Sequence, residues 1–280
     1  MSANDEQEQF WGGIGGAAWV DLQEQMDVQL SLLGEAVVGA ARPEPGERVL
    51  DVGCGCGSTT LAIARLVGPA GSVVGYDISE PMLARAMQRA SDSGVRNASF
   101  TVADAQTAQL AGPFDVVCSR FGVMFFDDPV AAFANLRRAT RSGGRLAFVC
   151  WQPESLNESF SVVGAAANDV LGPPQYADPT APGPFAFADS ERVRSILHDA
   201  GWGSLEIAEC RRATHVFGTT DLDEGVNVAL RIGPTARRAV GQPADVAERL
   251  RSSVRAALES RWTPYGWAAE AACWLVTARN

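Results

Sequence analysis

The chain has 280 residues, 46% of them hydrophobic and 20% charged, with a net charge of −10. That composition suits one large globular unit, or one unit with a cap, and an acidic chain without a basic run argues against nucleic acid as the main partner. All 23 cationic side chains other than histidine are arginine, which excludes lysine Schiff-base and P-loop chemistry.

The first six residues lack the basic-then-apolar order of a signal peptide. No apolar run reaches the roughly 18 residues that span a bilayer. The six cysteines lie in apolar runs or in one glycine turn, with no second pair at zinc-ligand spacing. The expected molecule is a reduced, cytoplasmic protein with no membrane span and no metal. Residues 1–9 are polar and read as frayed. Phe10-Trp11-Gly12-Gly13-Ile14-Gly15-Gly16-Ala17-Ala18-Trp19 then sets two tryptophans around four glycines. That fits a loosely packed arm or a flap that closes an aromatic wall over a ligand. From Ala17 to Ala41, Val20, Leu22, Met26, Val28, Leu30, Leu33 and Val37 recur at mostly helical spacing and predict one long helix. Pro43 and Pro45 end it.

Strands are expected at 48–53, 72–77, 98–103, 114–119 and 145–151, and helices at 58–67, 81–90 and 129–141. This alternation builds right-handed βαβ units and a parallel sheet. The unbroken apolar run in the fourth strand implies burial on both faces. Residues 152–188 are proline-rich and read as a loop or cap segment with one helix at 160–171. A helix at 190–200, a sixth strand at 205–214, helices at 221–231 and 244–260, and a seventh strand at 272–278 complete the chain. The segment 218–265 is long for an α/β connection and reads as a helical cap over a site. The expected organisation is an arm and helix over 1–45, a core over 46–151, the loop or cap over 152–188, and the rest of the sheet with its cap over 189–280.

Residues 49–60, Val-Leu-Asp-Val-Gly-Cys-Gly-Cys-Gly-Ser-Thr-Thr, read as a buried strand, a glycine turn and a helix start. Such a corner of an α/β sheet binds ligands. The dinucleotide fingerprint G-x-G-x-x-G fails, because glycine would be needed at Ser58 or at Thr60. Asp51 precedes the turn; a carboxylate there repels a pyrophosphate and suits a nearby amino or sulfonium group. Asp77, at the end of the second strand, can accept from both hydroxyls of a ribose. Asp104, at the end of the third, can accept from an exocyclic amine such as that of adenine. Ile78 and Met82 can sandwich the base. Each aspartate also has the plainer reading of a helix cap.

Five segments in order, 51–57, 75–79, 103–105, 114–119 and 142–146, resemble the successive motifs of class I S-adenosylmethionine-dependent methyltransferases. Within that superfamily the chain is similar, over residues 47–151, to the methyltransferases of ubiquinone and menaquinone biosynthesis and their small-molecule relatives. The resemblance implies an α/β, Rossmann-like, seven-stranded and mostly parallel sheet in the order 3-2-1-4-5-7-6. Helices flank it, with a helical arm before the sheet and a helical cap before the last strand. It implies S-adenosylmethionine as cofactor. The backbone of Gly53, Cys54 and Gly55 would approach the methionine part, with Ser119 and Arg120 beside it. Asp77 would bind the ribose, Asp104 and Ala105 the adenine, and Trp19 of the arm would help to cover the cofactor. Where N-methyltransferases of base or protein amides carry N/D-P-P-Y/F, this chain reads Ser119-Arg120-Phe121-Gly122, which argues against a nucleic-acid amine as acceptor.

Methyl transfer from a sulfonium is an in-line substitution, and alignment supplies much of its catalysis. A base is needed only by a nucleophile that keeps its proton. His215, after the sixth strand, is the candidate; His198 lies on a helix surface. Phe121, Met124, Phe125 and Trp151 are the expected substrate wall, and Arg120 and Arg231 are placed to meet a substrate carboxylate. The reading is methyl transfer to a small, partly apolar metabolite at the oxygen of a hydroxyl or carboxylate. Carbon or nitrogen of a small molecule or modified peptide is the alternative. An NAD-dependent oxidoreductase and a non-catalytic cofactor-binding module are the alternatives from other classes. A homodimer is the assembly left open.

Overall fold

The computed structural model describes residues 4–174 and 178–280. The fraying expected of residues 1–3, and the part of the loop at 175–177, lie outside them. Seven strands form one sheet: β1 (Arg48–Val52), β2 (Ser72–Asp77), β3 (Ala98–Val102), β4 (Phe114–Arg120), β5 (Thr140–Trp151), β6 (Gly203–Val216) and β7 (Trp267–Arg279). Their order is β3-β2-β1-β4-β5-β7-β6. The first five run parallel, and β7 is antiparallel to both β5 and β6. This is the arrangement implied by the resemblance. Val49, Leu50, Val116, Val117 and Phe148 are fully buried. A parallel sheet covered on both faces leaves no polar alternate positions, which explains the unbroken apolar runs.

The arm is more ordered than its composition suggests. It folds as α1 (Asp5–Gly12), α2 (Ile14–Asp21) and α3 (Gln23–Ala41). Residues 5–9 are therefore helical rather than frayed. The single long helix expected from Ala17 is two, broken at Leu22, whose φ of −104° and ψ of 20° leave the helical region. The break lets two demands be met. α3 buries Leu30, Leu33 and Val37 against the sheet. α2 folds back on α1 so closely that a Cβ on Gly16 would lie 2.0 Å from the Trp11 carbonyl oxygen. Ser79 Oγ donates to that same oxygen at 2.6 Å and ties the arm to the end of β2.

The remaining helices are α4 (Ser58–Val67), α5 (Glu80–Asp92), α6 (Pro129–Arg138), α7 (Glu158–Leu171), α8 (Ser190–Asp199), α9 (Leu222–Arg231), α10 (Pro234–Ala239) and α11 (Ala244–Glu259). α6 stops three residues short of Arg141, because Thr140 already pairs with Phe114 at the start of β5. β6 and β7 stay paired out to Val216 and Trp267. They exceed the expected 205–214 and 272–278, since the run Trp267-Ala268-Ala269-Glu270-Ala271 shows no clear alternation. A second apolar cluster joins the arm, α7 and the helices before β7 through Leu22, Met26, Val163, Val228, Leu250 and Val254. Among the described residues no helix is long and apolar enough to cross a membrane.

The turns after β1 and β4 meet backbone to backbone. A Cβ on Gly53 would lie 2.5 Å from Gly122 Cα, and one on Gly122 would lie 2.5 Å from the Val52 oxygen and 2.7 Å from Gly53 Cα. Gly122 has φ −75° and ψ −34°, open to any residue, so space alone demands glycine there. Gly122→Ala is expected to lose about 1–3 kcal/mol through overpacking. Gly39→Ala, inside α3 with nothing within 4 Å of its added Cβ, is expected to gain about 0.5–1 kcal/mol. Urea unfolding followed by circular dichroism checks both; coincident curves for the two variants would contradict the contact.

Candidate functional site

A large cavity opens at the carboxyl ends of β1, β2, β4 and β5, where open α/β sheets place their ligands. Its floor is the glycine turn. Trp11, Trp19 and Met26 of the arm form one wall; Phe160 and Val163 of α7 with Val228 and Ile232 near the cap form another. The arm and the cap are joined directly. Arg231 pairs with Asp21 at 2.6 Å, Gln25 Nε2 donates to Glu224, and the Arg237 guanidinium lies 4.0 Å from the centre of the Phe10 ring.

Asp77 is buried at the end of β2. Its Oδ2 accepts from Gly55 N–H at 2.8 Å and its Oδ1 from Ser79 N–H at 2.9 Å. Each oxygen keeps a further lone pair. Burial raises the Asp77 pKa, opposed by the N–H groups of Ser79, Gly55 and Ile78. Asp51 is 1% exposed and accepts from Thr60 Oγ1 at 2.6 Å. Burial pushes its pKa up to about 6, against the Thr60 hydrogen bond and the charge of Arg120. Asp104 caps a turn by accepting from Gln106 N–H at 2.8 Å, and it also lines the cavity.

Gly53, Cys54, Gly55, Ile78, Met82, Ala105, Arg120, Trp19, Phe121, Met124, Phe125 and Trp151 all line the same cavity. Gly53 and Gly55 have φ of +65° and +53°, which side chains seldom adopt. Cys54 packs its sulfur where a Cβ on Gly75 would come within 2.6 Å, and burial raises its thiol pKa well above the ordinary value. It fills space and is no nucleophile.

Three expected residues stand elsewhere. Ser119 donates to the Val52 oxygen at 2.7 Å and accepts from Gly122 N–H at 3.1 Å, so it clamps β4 to β1 and does not line the cavity. His215 is held by its neighbours, its Nε2 lying 2.8 Å from the Tyr265 carbonyl oxygen and its ring packed on Gly266. It is absent from the cavity lining. Arg231 is engaged with Asp21 and offers nothing to a substrate inside.

Other lining groups were not legible in advance. Gln23, Asp27 and Gln29 reach the cavity from α3, with Arg89 and Arg85 holding Asp27 and Gln23 respectively. Only the docking of the arm brings them there. Glu154 lies three residues beyond the end of β5, and its place past a strand's carboxyl end was the one available signal. Phe121 and Phe217 both line the cavity with left-handed φ, +66° and +59°. Such strain in an aromatic residue persists where surrounding contacts enforce it, often at functional sites. Here the Val149 oxygen accepts from Phe121 N–H, and Gln29 Oε1 from Phe217 N–H at 3.0 Å.

Residues 43–201 match a family described as a methyltransferase domain. The aklanonic acid methyltransferase DauC of Streptomyces sp. (strain C5) is 40% identical over 117 residues, which are 41% of this chain and 53% of that protein. The nocamycin O-methyltransferase of Saccharothrix syringae is 33% identical over 205 residues, 71% of this chain and 68% of that protein. The chain therefore spans about half the length of the first relative and two thirds of the second. A crystal structure of magnesium protoporphyrin IX methyltransferase from Synechocystis PCC 6803, with bound S-adenosylhomocysteine, shares the fold. Its TM-score is 0.58 at 17% identity, covering 98% of this chain and 99% of that one.

The buried Asp51 has a measurable cost. Its folded pKa of about 6 exceeds the ordinary 3.8, so between these values the folded chain holds a proton that the unfolded chain has lost. Stability is therefore lost as pH rises through that window, by about 3 kcal/mol in all. Asp51→Asn removes the cost. It is expected to be the more stable protein at about pH 8 and to lose that advantage toward about pH 4, as read by denaturant unfolding. A pH-independent difference would contradict the assignment.

Proposed function

The chain belongs to the class I S-adenosylmethionine-dependent methyltransferases, and on that premise we propose that it methylates a small, partly apolar metabolite at oxygen. The observation that carries the proposal is the Asp77 carboxylate. It is fixed by backbone N–H groups, those of Gly55 and Ser79 among them, and keeps acceptor capacity, beside a glycine turn that leaves its backbone open. Bound there, S-adenosylmethionine supplies an electrophilic methyl group on a sulfonium.

The residues fit that cofactor at each part. Asp77 holds the two ribose hydroxyls. Asp104 and Ala105 would hold the adenine, with Ile78 and Met82 supplying apolar contact. Gly53, Cys54 and Gly55 run along the methionine part. The Arg120 guanidinium makes no hydrogen bond to a described residue and is left for the carboxylate of that part. Asp51 and Asp27 stand near it with the opposite charge, suited to an amino or sulfonium group. Trp19 and Trp11 exclude water from above. The arm is thus read as a cover over 1–45 and the segments 152–188 and 218–265 as the substrate-selecting cap.

The acceptor lies on the side of Phe121, Met124, Phe125 and Trp151. Phe121 and Trp151 stack at 4.3 Å with 7° between planes, which gives a rigid apolar wall. Such a wall aligns a flat molecule, and alignment is what in-line transfer requires. Enclosure by the arm and cap favours a small molecule over a macromolecule. The nocamycin relative is an O-methyltransferase, and that likeness supports oxygen as the methylated atom in this reading. His215 is not needed in this reading, since it stands outside the cavity.

Calorimetry with S-adenosylhomocysteine tests the assignment. The intact protein is expected to bind it. Asp77→Ala, which removes two hydrogen bonds to a charged group, is expected to weaken binding about 100-fold. Undiminished binding by the variant would sink the ribose assignment. NADH, which finds neither the third glycine nor a site free of Asp51, is expected not to bind.

A further inference from the structure

α3 spans the mouth of the cavity and serves different neighbours on its two sides. On the side of α5, Arg89 holds Asp27 and Arg85 holds Gln23. On the other side stands Gln29, which is 9% exposed and lines the cavity. Its Oε1 accepts from Phe217 N–H at 3.0 Å. Phe217 directly follows β6, the last strand in the order of the sheet. β5 and β6 are each antiparallel to β7, so β6 ends on the same side of the sheet as β5. Gln29 is therefore anchored at the end of the cavity away from Asp77 and β2. The anchor is tight: a Cβ on Gly218 would lie 2.1 Å from the Gln25 carbonyl oxygen, one helical turn before Gln29.

This bond fixes which way the amide points. A backbone N–H can meet only the carboxamide oxygen, so the NH2 group is turned elsewhere. Nε2 makes no hydrogen bond to a described residue, and it is not sealed in protein as the unpartnered Gln152 Nε2 is. Around it the lining is apolar, through Met26, Phe217, Val228 and Ala229. The hydroxyls of Ser159 and Thr235 also line the cavity, but a hydroxyl donates or accepts and so admits either kind of ligand atom. Nε2 only donates. A donor left unbonded in an apolar space is costly, so a ligand oxygen that meets it is favoured over a ligand carbon.

We propose that Gln29 selects the methyl acceptor: a flat, largely apolar molecule with a carbonyl oxygen that receives the Gln29 amide N–H. The carbonyl oxygen has lone pairs and no proton, so it matches a group that can only donate. A hydrogen bond at that end, together with the stacked Phe121 and Trp151, fixes how such a molecule lies, and orientation is what in-line transfer requires. The inference rests on the methyltransferase reading and names the feature of the acceptor that the cavity reads.

The test uses 2-hydroxyfluoren-9-one and 2-hydroxyfluorene, flat molecules of one skeleton that differ only by a carbonyl in place of a methylene. Both are titrated calorimetrically into protein saturated with S-adenosylhomocysteine. The intact protein is expected to bind the carbonyl probe about fivefold more tightly. Gln29→Glu keeps the acceptor for Phe217 N–H and removes the donor at a pH of about 8, where a carboxylate is ionised. Gln29→Met keeps the length and removes both groups. Loss of the donor is what the two variants share, and each is expected to abolish the preference for the carbonyl probe. Equal binding of the probes by the intact protein would overturn the proposal, as would a full preference kept by either variant or failure of the carbonyl probe to bind. S-adenosylhomocysteine affinity is expected to be unchanged in both variants, which reports that they fold. No binding of S-adenosylhomocysteine by the intact protein would count against the methyltransferase reading itself.

Discussion

The site depends on one close approach of two backbones. Gly53 in the turn after β1 and Gly122 in the turn after β4 touch with no side chain between them, and Ser119 locks the contact by donating to the Val52 oxygen and accepting from Gly122 N–H. Because the turns are held this near, the chain has little freedom at Phe121, which takes up a left-handed conformation and lays its ring on Trp151. Interiors packed at this density cannot absorb an extra methyl group without moving their neighbours. The contact therefore sets both the floor of the cofactor end and the position of the aromatic wall at the acceptor end. A change at either glycine would be felt on both sides of the reacting atoms.

Charge is distributed in keeping with that geometry. The acids cluster over β1 and β2, where the proposed ligand carries hydroxyls, an amine and a sulfonium. Burial works against them, raising Asp51 to about 6 and Asp77 above its ordinary value. The fold thus carries carboxylates that are costly to ionise, a cost that the charge of Arg120 offsets only in part at Asp51. Sites of this kind trade stability for binding. The arm contributes to the same balance by bringing Asp27 to the cavity and by shielding it with two tryptophans. Its links to the cap, Asp21 with Arg231 and Phe10 with Arg237, close the space from two sides of the chain.

Much of this was legible in the sequence, for definite reasons. Strands buried on both faces are continuous apolar runs, so β1 and β4 announced themselves, and the sheet order followed from the motif resemblance. Asp51, Asp77 and Asp104 were legible because each ends a strand at the same edge of the sheet. What escaped depended on long-range docking. Nothing local marks Leu22 as the break between α2 and α3; the break exists because the arm must fold back through Gly16 onto Trp11. Gln23 and Asp27 look like ordinary polar positions on a helix until the arm is docked. Ser119 and His215 misled in the opposite way. Their positions beside strand ends suggested chemistry, yet Ser119 bonds the Val52 and Gly122 backbone and His215 sets its Nε2 against the Tyr265 carbonyl outside the cavity. Arg231 likewise is used in an ion pair 210 residues away in sequence.

A crystal structure of the protein with S-adenosylhomocysteine tests the central claim most directly. The ribose hydroxyls are expected on the two Asp77 oxygens, with the sulfur directed toward the Phe121 and Trp151 wall. A nucleoside seated away from Asp77, or a sulfur turned from that wall toward solvent, would contradict it.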